Sequence, residues 1–339
     1  MKPTDFAYYV SAFFTKHLPN TCGASPNTVN SYRDTFLLLF VYLRDEKGVK
    51  IERLQLKDFQ KDLIREFLDW VETGRHCSIA TRNVRLTAIH SFFRYLQFEC
   101  PDFLFDWQKI LDIPVKKAER GTLSYMTLDG IKLLLQMPDH RTKAGRRDIA
   151  LLSLMYDTGA RVQEIADLTP SMVRLSGPST IKLVGKGKKA RIIPLMEKQA
   201  DILSRYMIEN RIDGPNANQY PLFSGRRGEK FTRAGISYIL RKYVDMARSQ
   251  DASLVPLKFS PHCLRHSKAM HLLQSGVNLV YIRDLLGHVS VQTTEIYART
   301  DSRKKREAIE KAYTDVSPEI KPQWEGNHDL IEWLRRFNK

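Results

Sequence analysis

The 339-residue chain carries 54 Lys and Arg against 38 Asp and Glu, a formal charge of +16 that suits a polyanionic partner such as nucleic acid. No apolar run approaches the ~20 residues of a membrane-spanning helix, and Met1-Lys2-Pro3-Thr4-Asp5 lacks the apolar core of a signal peptide, so a cytoplasmic protein is expected. Cys22, Cys77, Cys100 and Cys263 are scattered without Cys-x-x-Cys pairing or His spacing, which argues against a disulfide scaffold and against a zinc site.

The length allows two domains, each with a core of its own. In the first third, Ser25-Pro26 reads as an N-cap and first-turn proline, and Val29, Tyr32, Phe36, Leu39, Phe40 and Leu43 then recur at helical spacing until Gly48. A second helix follows from Leu63, Phe67, Trp70 and Val71 before Gly74, and a third from Leu86, Ile89, Phe93 and Leu96 before Pro101. Their aromatic stripes read as core. The third helix, Ile79 to Phe98, leaves Arg82, Arg85 and Arg94 off its apolar stripe, to face water or DNA phosphates. Residues 114–124 are polar, basic and non-periodic, as a linker should be. Beyond it, Thr127 caps a helix holding Ile131, Leu133 and Leu134, and a further helix runs from about Arg146 to Tyr156. Strand-like Thr180–Val184 and Arg191–Leu195 flank the basic turn Gly185–Lys189. Helices are expected around Ala200 to Glu209 and Ala234 to Met246, and another starts at Pro261. Last come the basic run Arg303–Arg306 and a tail in which Ile331, Trp333 and Leu334 make a small apolar face.

Four islands in the second domain carry chemistry: Thr158-Gly159-Ala160-Arg161-Val162-Gln163-Glu164, then Gly185-Lys186-Gly187-Lys188-Lys189, then His262-Cys263-Leu264-Arg265-His266, then Leu285-Leu286-Gly287-His288 with Tyr297 nine residues on. Each has a plain structural reading alone. Arg161 could satisfy carbonyls after a helix capped by Gly159, and the lysines could be a soluble β-turn. His262 and Arg265 could be a capping pair on one helical face, and a lone tyrosine is usually packing. Together they suit a phosphodiester. Guanidinium forks match the oxygens of a pentavalent phosphate. A tyrosine with an ordinary pKa of about 10 needs a base or a positive field to attack. A departing alkoxide needs an acid, which a lysine on a glycine-flanked turn can supply.

In order and spacing, with 25 residues from Arg161 to Lys186 and 26 from His262 to His288, the islands resemble the tyrosine recombinase (phage integrase) family. The phrases Ser25–Tyr32 and Thr81–Leu96 resemble that family's SAM-like core-binding domain. The resemblance implies a mainly α fold with a small antiparallel sheet: a two-domain clamp on duplex DNA. Its parts are a helical SAM-like core-binding domain at 1–113, a linker at 114–124, an α+β catalytic domain at 125–316 and a tail at 317–339 that docks on a neighbouring protomer. It also implies roles. Tyr297 would be the nucleophile that forms a 3′-phosphotyrosyl bond, Arg161 and Arg265 the phosphate clamp, and Lys186 the general acid. His262 would assist proton transfer, and His288 would hold a non-bridging oxygen. Glu164 and His266 would support these from behind, and Arg82, Arg85, Arg94, Lys188 and Lys189 would touch DNA. No metal or nucleotide cofactor is implied. The expected activity is site-specific recombination by a homo-tetramer on two DNA sites through a Holliday junction, in the service of a mobile element. The alternatives are Xer-type chromosome dimer resolution, a type IB topoisomerase, and a non-catalytic DNA-binding regulator.

Overall fold

Side-chain caps start most of the long helices. Ser25 accepts from the Thr28 amide, Ser78 from Thr81, Thr127 from Gly130, Thr142 from Gly145 and Thr232 from Gly235, each satisfying an amide that the first turn leaves unpaired. The computed structural model describes residues 4–118, 123–185, 187, 189–225, 227–288, 290–300 and 330–336, in two units, Met1–Gly121 and Thr122–Lys339.

The first unit holds α1 (Asp5–Ala12), α2 (Pro26–Asp45), α3 (Lys61–Asp69), α4 (Ile79–Glu99) and α5 (Leu104–Leu111). The predicted stripes do form its core: Phe36, Leu39, Leu43, Phe67, Leu86, Ile89, Phe93 and Leu96 are buried together. Helices α1 and α5 were not anticipated. They bring Phe6 and Trp107 into the same core, where Trp107 lies 5.1 Å from Phe93 and donates its indole N–H to the Cys100 carbonyl.

Two arginines of α4 turn inward rather than outward, which corrects the surface position expected of them. Arg82 is only 4% exposed and donates from Nη1 to the Pro114 carbonyl. Arg85 is half-buried and reaches the Ser31 carbonyl and Thr35 hydroxyl of α2. Arg94 is exposed. The predicted linker also begins as part of this unit, because Asn83 binds Lys116 through both its amide nitrogen and its amide oxygen.

The second unit begins with α6 (Leu128–Gln136), α7 (Lys143–Thr158) and α8 (Val162–Ala166). A three-stranded antiparallel sheet follows, β1 (Val173–Arg174), β2 (Thr180–Val184) and β3 (Ala190–Pro194), in the order β1-β2-β3. The β2–β3 hairpin pairs Thr180 with Pro194 and Val184 with Ala190, so Gly185–Lys189 is the turn. Helices α9 (Glu197–Glu209), α10 (Arg233–Gln250), α11 (Pro261–Gln274), α12 (Leu279–Leu286) and α13 (Glu295–Thr300) complete it, with α14 (Leu330–Arg336) in the tail. The basic run Arg303–Arg306 and the side chain of Trp333 lie outside the described residues. No helix among the described residues is long and apolar enough to cross a membrane.

Candidate active site

The site is organised by the end of one short helix. Helix α12 stops at Gly287, whose φ of 64° is the left-handed cap that favours glycine. Stopping there leaves the last carbonyls without amide partners, and three successive ones are taken by three arginines from three different elements. The Leu285 carbonyl accepts from Arg191 Nε at 2.8 Å, Leu286 from Arg265 Nη2 at 2.6 Å, and Gly287 from Arg161 Nη2 at 3.3 Å. The negative end of the helix dipole thus faces a cluster of cations. A Cβ on Gly287 would stand 3.0 Å from Arg191 Nη1, so the glycine is required by space as well as by φ.

Arg265, on α11, is 3% exposed and donates its other Nη to the Gly159 carbonyl, the left-handed cap that ends α7. It is a buried cation stabilised by two helix C-termini. Burial, then the neighbouring Arg161 charge, lowers its pKa to about 10, which still leaves it charged at neutral pH.

Arg161 is the N-cap of α8, and Glu164 closes a reciprocal pair with it: the Glu164 carboxylate accepts the Arg161 backbone amide at 2.8 Å and Nη1 at 2.9 Å. The same carboxylate accepts two bonds from Arg191 of β3, at 2.9 and 2.7 Å. Burial alone would raise the Glu164 pKa. Hydrogen bonds from Arg191 and Arg161 outweigh it and hold the carboxyl below its ordinary range. Gly185, which opens the basic turn, sits against this cluster, with its missing Cβ position 3.0 Å from Glu164 Oε1. The turn therefore starts on top of the arginine clamp. Lys186 and Lys188 lie outside the described residues, and Lys189 is exposed.

Tyr297, on α13, is buried, and its hydroxyl lies 2.9 Å from His266 Nδ1. Burial pushes the phenol pKa up, while Arg265 and Arg161 pull it down without cancelling the shift. His266 is lowered to about 4 by burial and then by His262 and Arg265, so it stands neutral and can accept the tyrosine proton in a hydrogen bond. The exposed His262 ring stacks along it with centroids 6.3 Å apart. His288 is likewise lowered to about 4, by burial first and the arginines next. Its Nδ1 lies 2.9 Å from the hydroxyl of the fully buried Thr294. With Thr294 donating to Nδ1, the proton of neutral His288 sits on Nε2, available to an oxyanion. Arg161, Arg191, Arg283, Lys189 and His288 line a cavity of about 490 Å³.

The fold thus brings together Arg161, Glu164, His262, Arg265, His266, His288 and Tyr297. Sequence reasoning passed over Arg191 and Thr294. A signal for Arg191 existed: two residues before the buried Ile193 on one strand, it must face the same side, which is the core side. Thr294 gave no such signal.

Residues 124–304 match the model of the phage integrase family, and residues 12–99 that of the phage integrase N-terminal SAM-like domain. The chain is 35% identical over 323 residues to the Sinorhizobium fredii protein y4rC, which carries an integrase/recombinase name, covering 95% of this chain and 96% of that protein. It is 30% identical to the tyrosine recombinase XerC of Pelotomaculum thermopropionicum, over 88% of this chain and 94% of that one. Among solved structures, XerH site-specific recombinase in a post-cleavage complex with a palindromic difH substrate superposes with a TM-score of 0.68 at 24% identity, covering 88% of this chain and 83% of that one.

Proposed function

The chain belongs to the phage integrase family of tyrosine recombinases, DNA strand-exchange enzymes, and from that premise we propose that Tyr297 is its nucleophile and that the arginines at the end of α12 form its phosphate clamp. The observation that carries this reading is the set of three guanidiniums on the Leu285, Leu286 and Gly287 carbonyls, next to His288 in sequence and with Tyr297 in the field of two of them. Arg161 and Arg265 would hold non-bridging oxygens of the scissile phosphate, and His288 would donate from Nε2 to another. Arg191 is committed to Glu164 and Leu285, so it holds the clamp rather than the substrate.

The Tyr297 oxygen attacks phosphorus as the bond to the 5′ oxygen breaks. With its pKa raised and that of His266 near 4, the phenol keeps its proton in the resting site. The proton moves to the histidine pair His266 and His262 only as the P–O bond forms and the phenol becomes acidic. Lys186, on the turn whose first residue touches the clamp, would protonate the leaving 5′ oxygen. A 3′-phosphotyrosyl linkage results, and an incoming 5′-hydroxyl reverses the steps to join a new strand.

Strand exchange between two sites requires four such active sites, hence a homo-tetramer on two DNA duplexes. For the biological role we favour a mobile element over chromosome dimer resolution, a reading that the insertion at 225–228 suggests. Incubation with a nicked suicide duplex tests the chemistry: a covalent protein–DNA adduct is expected, with the phosphotyrosyl bond on the peptide containing Tyr297. An adduct mapped to another residue, or none on a duplex that the protein binds, overturns the assignment.

A further inference from the structure

We propose that Arg283 is a further substrate-binding residue of the candidate active site: it takes the phosphate next to the scissile one, and Asp284 occupies it until a duplex arrives. This contact presupposes the phosphodiester reading above and adds to that same site. Arg283 stands in the last turn of α12 and lines the cavity of about 490 Å³ together with Arg161, Lys189 and His288. A water takes up roughly 30 Å³, so that space admits more of a strand than the single phosphoryl group that Arg161, Arg265 and His288 would hold. Four residues, roughly 6 Å along the helix axis, separate Arg283 from Gly287, whose carbonyl carries Arg161. A strand bears a phosphate about every 3.4 Å of duplex axis. One that sets its scissile phosphate on Arg161 therefore brings a neighbouring phosphate within reach of a long side chain at 283. The backbone fixes that place, because the Arg283 carbonyl accepts the His288 amide at 3.1 Å.

The charges around the cavity leave this arginine available. Glu164 is already shared by Arg161 and Arg191, and Arg265 rests on two carbonyls. Arg283 has one ion pair among the described residues, with its own neighbour: Nη2 lies 2.7 Å from Asp284 Oδ1, and Nε donates to the same oxygen at 2.8 Å. The two side chains are 31% and 59% exposed, so water screens the pair and little is lost when it breaks. Asp284 is otherwise out of place. It lies in the last turn of a helix, where the dipole disfavours an acid. Among the described residues, every other charged side chain lining the cavity is a cation. A carboxylate there repels DNA and competes for Arg283. Phosphodiester oxygens accept the same bonds from a guanidinium, so a phosphate can replace Asp284 without leaving the cation unpaired.

The test uses the full chain carrying Tyr297→Phe as parent, so that binding is read without cleavage. In a set of duplexes, one phosphate at a time beside the scissile position is replaced by an uncharged methylphosphonate. Arg283→Gln should lower the slope of log affinity against log salt by about 0.9, the contribution of one neutralised phosphate. One of the methylphosphonates should weaken binding by the parent and leave Arg283→Gln unaffected. Asp284→Asn should act with the opposite sign, tightening binding by up to about fivefold, the upper range for an exposed ion pair. That gain should shrink when Arg283→Gln is also present. Asp284→Asn leaves the cation in place, so it decides the question if Arg283→Gln melts early. A slope unchanged by Arg283→Gln, a methylphosphonate response equal to the parent's at every position, or an Asp284→Asn variant that binds no tighter overturns the assignment of Arg283. If the chain with Tyr297 intact binds duplex yet forms no adduct on the nicked suicide duplex, the functional reading fails alone, and the binding measurements still judge Arg283.

Discussion

The two units bury polar groups on different scales. Among the described residues, the buried polar or charged side chains of the first unit are Thr35, Arg82 and His90, inside a core of stacked aromatic rings. Those of the second include Asp148, Glu164, Arg265, Ser267, His271 and Thr294. Burying ions costs stability unless every partner is in place, so a fold concentrates them where chemistry needs a fixed field. The first unit is built as a scaffold around its aromatic core. The second sacrifices stability to hold cations that repel one another at the end of α12.

The largest effect that would test this division comes from Tyr297→Phe. Only the nucleophilic oxygen is removed, so covalent adduct should vanish while duplex affinity stays within about threefold, under half of the 1.4 kcal/mol that a tenfold change represents. Adduct that persists on a nicked suicide duplex removes Tyr297 from the mechanism. Arg265→Ala follows in size. Loss of one transition-state donor typically costs roughly a hundred- to a thousandfold in rate, and here the change also leaves the Gly159 and Leu286 carbonyls without their donor. Single-turnover cleavage on a saturating duplex measures it. An unchanged rate would mean that the cation is structural.

Arg191 sharpens the contrast between a cation that meets substrate and one that positions it. Arg191→Gln would leave Glu164 with the Arg161 bonds alone and free the Leu285 carbonyl. Misplacement of a clamp by about 1 Å can cost up to ~100-fold, so a rate loss between that and about tenfold is expected. The loss should appear in single-turnover cleavage with little change in duplex affinity. Arg191→Lys should recover little, because a point charge cannot make the two-pronged contact with Glu164. Equal losses in binding and cleavage would instead place Arg191 on the DNA.

What the sequence made legible follows from the range of the forces involved. Caps and helical stripes are local, so Ser25 and Thr127 marked their helices and Phe36, Phe67 and Phe93 marked the core. Arg161, His262, Arg265, His288 and Tyr297 were picked out together because each belongs to a short motif at a set spacing. Arg82 and Arg85 were misread because their burial depends on partners at Pro114 and Thr35, 32 and 50 residues away, which no helical periodicity encodes. The convergence of three arginines on α12 was hidden for the same reason: Arg161 and Gly287 are 126 residues apart. The partnership of Tyr297 with His266 spans 31 residues and needed the packing of α13 on α11 to be seen.

The smallest effect concerns acid, and it separates the two units directly. His266 and His288 have folded pKa values near 4 against an ordinary 6.5, and His262 and His271 are lowered as well, all in the second unit. In the first unit His90 is lowered by burial. A histidine whose folded pKa is depressed binds fewer protons when folded than when unfolded between the two values. Its contribution is therefore intact above about 6.5 and is lost as pH falls toward about 4. Glu164 adds to this at the acid end, since its folded pKa lies below its ordinary value and the two arginines lose their carboxylate once it protonates. The second unit should thus loosen first on acidification. Hydrogen exchange followed by mass spectrometry can resolve α11 from α4 across this range. Protection in α11 should fall progressively between pH 6.5 and 4 while that of α4 changes less. His288→Gln, which keeps a donor near Thr294 but cannot take up a proton, should flatten part of the α11 slope. If α4 loses protection at the same pH as α11, or before it, buried histidines do not set the acid limit and the difference between the units does not extend to their stability.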